Sequence, residues 1–318
     1  MPMLDDLPLA RSTVDQAAER RNEDGLYDRL RQEPGTRVLL VRRGEVAVDG
    51  DALVLLTPGQ LPSIGWDAER IHLLGADADG TYLSADLPDD LGDVRDLDGV
   101  PVVEDAALVE AVHGLEFAHL RDVGDALSDR DAGLATTAVA LSTWHHRHPR
   151  CPRCGEPTEV QAAGWVRRCT TDEEQHFPRT DPAVIVALVD DRDRLLLGHA
   201  AHWPAGRFST LAGYVESGEA AEEAVRREIM EEAGVRVVDM EYRGSQPWPF
   251  PCSLMLGYTA RIEGVEDARP DGEEVTELRL FTRDELAAAV RVGDVYLPMR
   301  SSIARSLIED WYGGELLG

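Results

Sequence analysis

Between Leu211 and Val235 the chain reads LAGYVESGEAAEEAVRREIMEEAGV, a segment crowded with glutamates and carrying a glycine near each end. Ser217 and Gly218 break any helix there, Ala220 to Glu232 are fair helix formers, and Gly234 supplies a C-terminal stop. On that helix Glu228, Glu231 and Glu232 stand at i, i+3 and i+4 and share one face. Ala224, Val225, Ile229 and Ala233 form a separate apolar face for the core. Three carboxylates on a face turned away from packing are costly unless a cation sits among them, and hard oxygen ligands suit Mg²⁺ or Mn²⁺. Arg227 can reach back to Glu219 and hold the preceding loop against the helix, and Gly213 lets the backbone approach a ligand closely. The competing reading of the same residues is an acidic, solvated helix.

A second stretch, SQPWPFPCS from Ser245 to Ser253, combines three prolines with two aromatic residues. Such a loop is stiff and presents flat faces suited to stacking on a planar base or nicotinamide ring, with Gln246 and Ser253 as hydrogen-bonding groups. A rigid surface turn around a buried tryptophan is the alternative. A third cluster is Cys151-x2-Cys154, followed by Cys169, which reads as three ligands of a zinc site. Cys252 lies far from these in sequence and reads as a packed thiol. The histidines of WHHRHPRC read as the end of a helix spanning Trp144 to His148 rather than as a metal site.

These groups need a scaffold, and 318 residues suffice for two domains with sizeable cores. A hydrophobic content of 43% and a charged content of 29% describe a soluble globular chain. No apolar run approaches a membrane span, and the start MPMLDDLPLARS has no signal-peptide pattern, so the expected location is the cytoplasm. Four cysteines are too few for a disulfide scaffold at this length. A net charge of -28 argues against partnership with duplex DNA or an anionic membrane. The basic residues are all arginine, which fits coding bias in a GC-rich genome better than a halophilic surface.

Three regions follow along the chain: an α+β domain over 1–128, a linking helix with the cysteine cluster over 129–180, and a catalytic domain over 181–318. In the first, Thr36 to Leu56 alternates and breaks at Asp49-Gly50-Asp51 as a hairpin would, and Arg70 to Leu87 reads as a second hairpin. Leu108 to Leu127 and Asp131 to His146 have helical spacing. In the last, Ala183 to Asp190 reads as a strand, Arg194 to His199 as its hairpin partner, and RDELAAAV and SSIARSLIEDW as closing helices.

The glutamate-rich stretch resembles the Nudix box, Gly-x5-Glu-x7-Arg-Glu-apolar-x-Glu-Glu-x-Gly-apolar, matched without departure by Gly213, Glu219, Arg227, Glu228, Ile229, Glu231, Glu232, Gly234 and Val235. With seven fixed letters at roughly one in ten each, a chance match in this chain is on the order of 10⁻⁵. The resemblance implies an α/β/α Nudix sandwich that hydrolyses a nucleoside diphosphate linked to another group, with Glu228, Glu231 and Glu232 as catalytic residues. The proline-rich stretch after the box is similar to the signature of the NADH pyrophosphatase (NAD diphosphatase, NAD-cap decapping) subfamily, which adds an N-terminal α+β domain and a zinc ribbon. Motifs carry this resemblance from about Trp144 onward, and layout alone carries it before that.

That resemblance implies cleavage of NAD(H) to nicotinamide mononucleotide and AMP, and removal of a 5′ NAD cap from RNA, by a Mg²⁺- or Mn²⁺-dependent homodimer. It places the metal on Glu228, Glu232, Glu274 and the backbone oxygen of Ala212. It assigns the substrate to Phe177 (acting across the dimer), Tyr214, Ala304 and the loop Gln246, Pro247, Trp248, Pro249, Phe250, Pro251, Cys252 and Ser253. The family's fourth zinc cysteine falls three residues after Cys169, where this chain has Asp172. His176 is then the chemically better fourth ligand beside Cys151, Cys154 and Cys169, with Asp172 as the alternative and a metal-free ribbon as a third outcome. Another dinucleotide, such as ADP-ribose, or a non-catalytic nucleotide- or RNA-binding role are the competing functions.

Overall fold

A computed structural model describes residues 4, 6–61, 64–88, 91 and 106–317. The chain divides into two units: Arg11–Arg179 with Pro249–Cys252, and Thr180–Trp248 with Ser253 onward and the N-terminal residues up to Ala10.

In the N-terminal unit Thr36–Arg42 runs antiparallel to Glu45–Asp49 and parallel to Thr81–Asp86, which pairs antiparallel with Ile71–Ala76. The hairpin around Asp49-Gly50-Asp51 is present, since Val48 opposes Leu53 and Asp49 opposes Ala52. A further turn at Arg43-Gly44, with φ of 52° and 77°, splits the preceding run into two strands; only one of that pair is a usual turn residue. The helical spacing from Leu108 to Leu127 does not become one helix. Helix Ala106–Val112 ends before Gly114, Glu116–His119 joins the sheet against Glu45–Asp49, and Leu120–Val123 forms one short turn. Sheet pairing overrides the local periodicity there. Helix Asp129–Arg147 follows, capped by Ser128, whose Oγ accepts the Asp131 N–H at 3.2 Å. Thr158–Gln161, Val166–Cys169 and Gln175–His176 then form a small three-stranded antiparallel ribbon.

Two imidazoles are buried in this unit. His72 and His145 stack with ring centroids 4.3 Å apart. His145 Nδ1 accepts from the Arg167 guanidinium at 2.9 Å, so its Nε2 donates to the Gly164 carbonyl at 2.9 Å. Burial, reinforced by the charge of Arg167, holds His145 down to about 4, and burial with His145 and Arg167 beside it holds His72 well below the usual range. Both rings bind fewer protons folded than unfolded, so their stabilisation is complete above about 6.5 and is lost as pH falls toward 4. The unfolding midpoint of the chain is therefore expected to drop by several degrees between pH 7 and pH 5, on the order of 1 kcal/mol or more. His72→Leu should flatten that slope; a wild-type midpoint unchanged over this interval would contradict the arrangement.

The C-terminal unit is a mixed six-stranded sheet between helices. Asp181–Val189 lies in the middle, parallel to Ser253–Glu263 and antiparallel to Leu195–Ala200 and Leu211–Tyr214. Arg236–Trp248 and Val275–Phe281 complete it. Along Asp181–Val189 the side chains alternate as the pleat requires. Val184, Val186 and Leu188 pack with Ala224, Val225, Ile229 and Ala233 of the glutamate-rich helix, whereas Ile185 and Ala187 face Leu286, Val290, Ile303 and Leu307 of helices Arg283–Val292 and Ile303–Tyr312. Among the described residues no helix is long and apolar enough to cross a membrane.

Candidate active site

The glutamate-rich segment forms the helix Ala221–Ala233, closed by Gly234 in the left-handed conformation at φ 66°. The preceding strand, Leu211–Tyr214, is held in register by four pairs, Leu211 to Val186 through Tyr214 to Ala183. Arg227 joins helix, loop and strand. Its Nε and Nη2 each donate to the Glu219 carboxylate at 2.8 Å, Nη2 also donates to the Tyr214 carbonyl at 3.0 Å, and Nη1 donates to Glu228 at 2.9 Å and Glu231 at 3.1 Å. Arg227 and the Glu216 N–H hold the Glu219 carboxyl down to about 2, so Glu219 is a permanent anchor for the arginine rather than a proton carrier.

The three aligned glutamates do not share one environment. Glu231 has a side chain 59% exposed and pairs with Arg227. Glu228 is largely covered, and burial together with Glu231 and Glu274 raises its carboxyl despite Arg227. Glu232 is not turned away from packing as its spacing suggested: it is 6% exposed, and its Oε2 has no hydrogen-bond partner among the described residues. Burial first, then the charges of Glu228, Glu274, Asp271 and Glu231, raise its carboxyl to about 8.

Gly213 also differs from expectation. The atoms that approach it belong to Glu228: a Cβ built on Gly213 would lie 1.9 Å from the Glu228 carboxyl carbon. The glycine makes room for the Glu228 carboxylate. Glu274 is presented by a turn the sequence reading passed over. Asp271 accepts the N–H groups of Glu273, Glu274 and Val275 at 3.0, 3.1 and 2.9 Å, and the Asp-Gly pair at 271–272 was the available signal. Ala212, Glu232 and Glu274, three of the four positions expected to hold a divalent cation, border one cleft of about 540 Å³, and the charge of the fourth, Glu228, acts on Glu232. A buried carboxylate oxygen with no partner among the described residues, under the charge of four further acidic groups, fits a hard dication.

The residues expected to wall a ring divide. Tyr214 is 53% exposed, with its hydroxyl 3.3 Å from Ser253 Oγ, and Phe177 is 62% exposed. Trp248 ends a strand opposite Ser253 and is half-buried. Gln246, in contrast, is fully buried and spent inside the fold: Nε2 donates to the Ser301 carbonyl at 3.0 Å and Oε1 accepts the Leu9 N–H at 3.5 Å. Ala304 packs in the core, Pro249 is buried, and the Arg121 guanidinium lies 4.4 Å from the Phe250 ring centre. Pro247, Pro251 and Cys252 are half-buried.

In the ribbon, ligand atoms of Cys151, Cys154, Cys169 and Asp172 lie within 4.8 Å of one another, and His176 is outside this group. The tight turn after Cys169, in which the Thr171 and Asp172 N–H groups point at its sulfur at 3.4 and 3.5 Å, turns Asp172 inward. His176 lies past the turn, on the strand that pairs with Arg167. Burial would raise the Cys151 thiol, but the N–H groups of Cys154 and Arg153, with His176 and Cys154 beside it, bring it down to about 7. A thiol so poised is readily available as a thiolate ligand.

Comparison with known proteins places this geometry. Residues 179–299 match the NUDIX domain, residues 35–144 an NADH pyrophosphatase-like rudimentary NUDIX domain, and residues 146–177 the NADH pyrophosphatase zinc ribbon domain. The chain carries a NUDIX domain over residues 179–299. Its three matched domains are those of the NADH pyrophosphatase-like group, in the order the sequence motifs implied. It is 43% identical over 204 residues to the NAD-capped RNA hydrolase NudC of Mycobacterium bovis (strain BCG / Pasteur 1173P2), covering 62% of this chain and 65% of that protein. The NAD-capped RNA hydrolase NudC of Mycobacterium tuberculosis (strain H37Ra) is 42% identical over the same length and coverage. Human NAD-capped RNA hydrolase NUDT12 is 36% identical over 197 residues, 58% of this chain and 42% of that protein. The matched stretch thus spans just under two thirds of the mycobacterial relatives.

Proposed function

We propose that the chain hydrolyses the diphosphate of NAD(H) to nicotinamide mononucleotide and AMP, and removes a 5′ NAD cap from RNA. The observation that carries this is the Nudix cluster around Glu232, whose buried, unpartnered oxygen sits among Glu228, Glu231 and Glu274 in a chain resembling NAD-capped RNA hydrolases. Mg²⁺ or Mn²⁺ bound by Glu228, Glu232, Glu274 and the Ala212 carbonyl would offset the diphosphate charge and lower the pKa of a bound water. In the reaction water adds to one phosphorus, the bond from that phosphorus to the bridging oxygen breaks, and two nucleoside monophosphates leave. The carboxylate cluster takes the proton the water gives up, and Arg227 fixes where Glu228 and Glu231 stand.

Exposed Tyr214, beside Ser253, offers a ring face, with Trp248 on the adjoining strand. Phe177 is exposed enough to serve the site of a second copy, in keeping with a cytoplasmic homodimer. With a net charge of -28 the chain repels a polyanion, so only the capped end of an RNA is gripped. Cleavage of a short NAD-capped oligonucleotide, compared with free NAD over a range of salt, tests this. Activity on both, with weak dependence on salt and on RNA length, is expected. A steep salt dependence with strong gains from longer RNA would contradict end-gripping, and no decapping at any salt would confine the activity to free dinucleotides.

In the ribbon, zinc on Cys151, Cys154, Cys169 and Asp172 completes a four-ligand set. Purified protein should hold close to one zinc per chain. Cys154→Ser should lose it and destabilise the fold, Asp172→Ala should weaken it, and His176→Ala should retain it. Retention in Asp172→Ala with loss in His176→Ala would restore the histidine as fourth ligand.

A further inference from the structure

The cleft beside Glu232 has a second wall that the metal cluster does not use. His202, Trp203 and Thr210 line the cleft together with Ala212, Glu232 and Glu274. Three observations at or beside these residues point to a ligand. Thr210 is 5% exposed and its hydroxyl has no hydrogen-bond partner among the described residues. A hydroxyl buried without a partner is costly, and it lines a cleft large enough for a nucleotide. Trp203 is half-buried, with the Arg207 guanidinium over its ring at 5.0 Å from the centre. Arg207 makes no ion pair among the described residues, in a chain whose net charge is -28. An arginine left without a carboxylate in so acidic a protein is suited to an anion that arrives with the substrate. The platform is also fixed: the Tyr296 N–H donates to the Gly206 carbonyl at 2.7 Å, and the Phe208 N–H donates to the Tyr296 carbonyl at 3.0 Å, so Arg207 is clamped on both sides.

Resting on the Nudix reading above, we propose that Trp203, Arg207 and Thr210 form the subsite for the second nucleoside 5′-phosphate, the half of the dinucleotide that does not stack on Tyr214. A substrate cut between two phosphates needs a place for each half on either side of the metals. Trp203 offers a ring face to one base, Arg207 a guanidinium to its phosphate, and Thr210 a donor or acceptor to its sugar or phosphate. The same nucleoside 5′-phosphate is present in free NAD(H) and at the 5′ end of a capped RNA, and both would use this wall.

The test uses the full-length chain with Mg²⁺ and measures inhibition of NAD hydrolysis by AMP and by nicotinamide mononucleotide separately. Trp203→Ala and Arg207→Gln should each raise the inhibition constant of one mononucleotide by about tenfold and leave the other unchanged. Thr210→Val keeps the shape and removes only the hydroxyl. It should weaken the same mononucleotide several-fold while the thermal midpoint holds or rises, a combination that a purely structural threonine would not give. Tyr214→Ala should weaken the other mononucleotide. The KM for free NAD and for a short NAD-capped oligonucleotide should rise together in the three wall variants; a rise for only one would assign the wall to that source. The subsite is overturned if the wall variants leave both mononucleotides unchanged, weaken both equally, or act on the one that Tyr214→Ala affects. A wild-type chain that cleaves no dinucleotide would instead overturn the hydrolase reading, so the two failures are distinct.

Discussion

Glu232→Gln should lower metal-dependent turnover by roughly 10²-fold or more, and Glu228→Gln by a similar factor. The structure separates this from damage to the fold. Glu232 Oε2 is buried with no partner among the described residues, and burial first, then the acidic groups around it, raise its carboxyl to about 8. An amide at that position keeps the shape of a carboxyl that is held largely protonated at neutral pH when no cation is bound, so the metal-free variant should unfold no earlier than the wild type. The cation effect should reverse the order. A ligand that binds only the folded chain stabilises it by RT ln(1 + [L]/Kd), so Mg²⁺ should raise the wild-type midpoint and leave that of Glu232→Gln nearly unmoved. Near-normal turnover in both glutamine variants would remove the cluster from the chemistry. Equal stabilisation of wild type and Glu232→Gln by Mg²⁺ would place the cation elsewhere.

Gly213→Ala is the second large effect, and it comes from a single methyl group. The added Cβ would fall 1.9 Å from the Glu228 carboxyl carbon and 2.1 Å from one of its oxygens. The strand cannot yield easily, being paired along its four residues with Asp181–Val189. Glu228 must therefore leave the position that Arg227 Nη1 holds at 2.9 Å. Misplacing a catalytic group by about 1 Å costs on the order of 10²-fold, and this loss is expected with a thermal midpoint close to wild type. Gly213→Ala with full activity would show that Glu228 works from another position.

The fold of the C-terminal unit was legible because its signals agree. Alternation along Asp181–Val189, an uninterrupted run of helix formers from Ala220 and the stop at Gly234 all point to one arrangement. The Arg227–Glu219 tie was legible from spacing alone. Depth was not: Glu228, Glu231 and Glu232 look equivalent on a helix, yet Glu232 is 6% exposed while the Glu231 side chain is 59% exposed. Gln246 looked like a ligand contact because its neighbours are aromatic and stiff, but the N-terminal Leu9 and the Ser301 carbonyl claim its amide. Asp172 ranked below His176 on ligand chemistry, yet the turn after Cys169 brings Asp172 within 4.8 Å of the three sulfurs, which spacing alone did not reveal. In the N-terminal unit a four-residue strand, Glu116–His119, was hidden inside a helical periodicity, because a strand that short is specified by its partner more than by its own residues. Trp203 and Thr210 belong to no motif, and only the shared cleft connects them to the glutamates.

The central claim is that this cluster directs water to a diphosphate. Incubating the full-length chain with NAD and Mg²⁺ in ¹⁸O-labelled water, and identifying the products by mass, tests it most directly. The account predicts nicotinamide mononucleotide and AMP in equal amounts, one ¹⁸O on a phosphate for each turnover, and no reaction when the divalent cation is chelated. Release of free nicotinamide with ADP-ribose, or turnover indifferent to chelation, would contradict it.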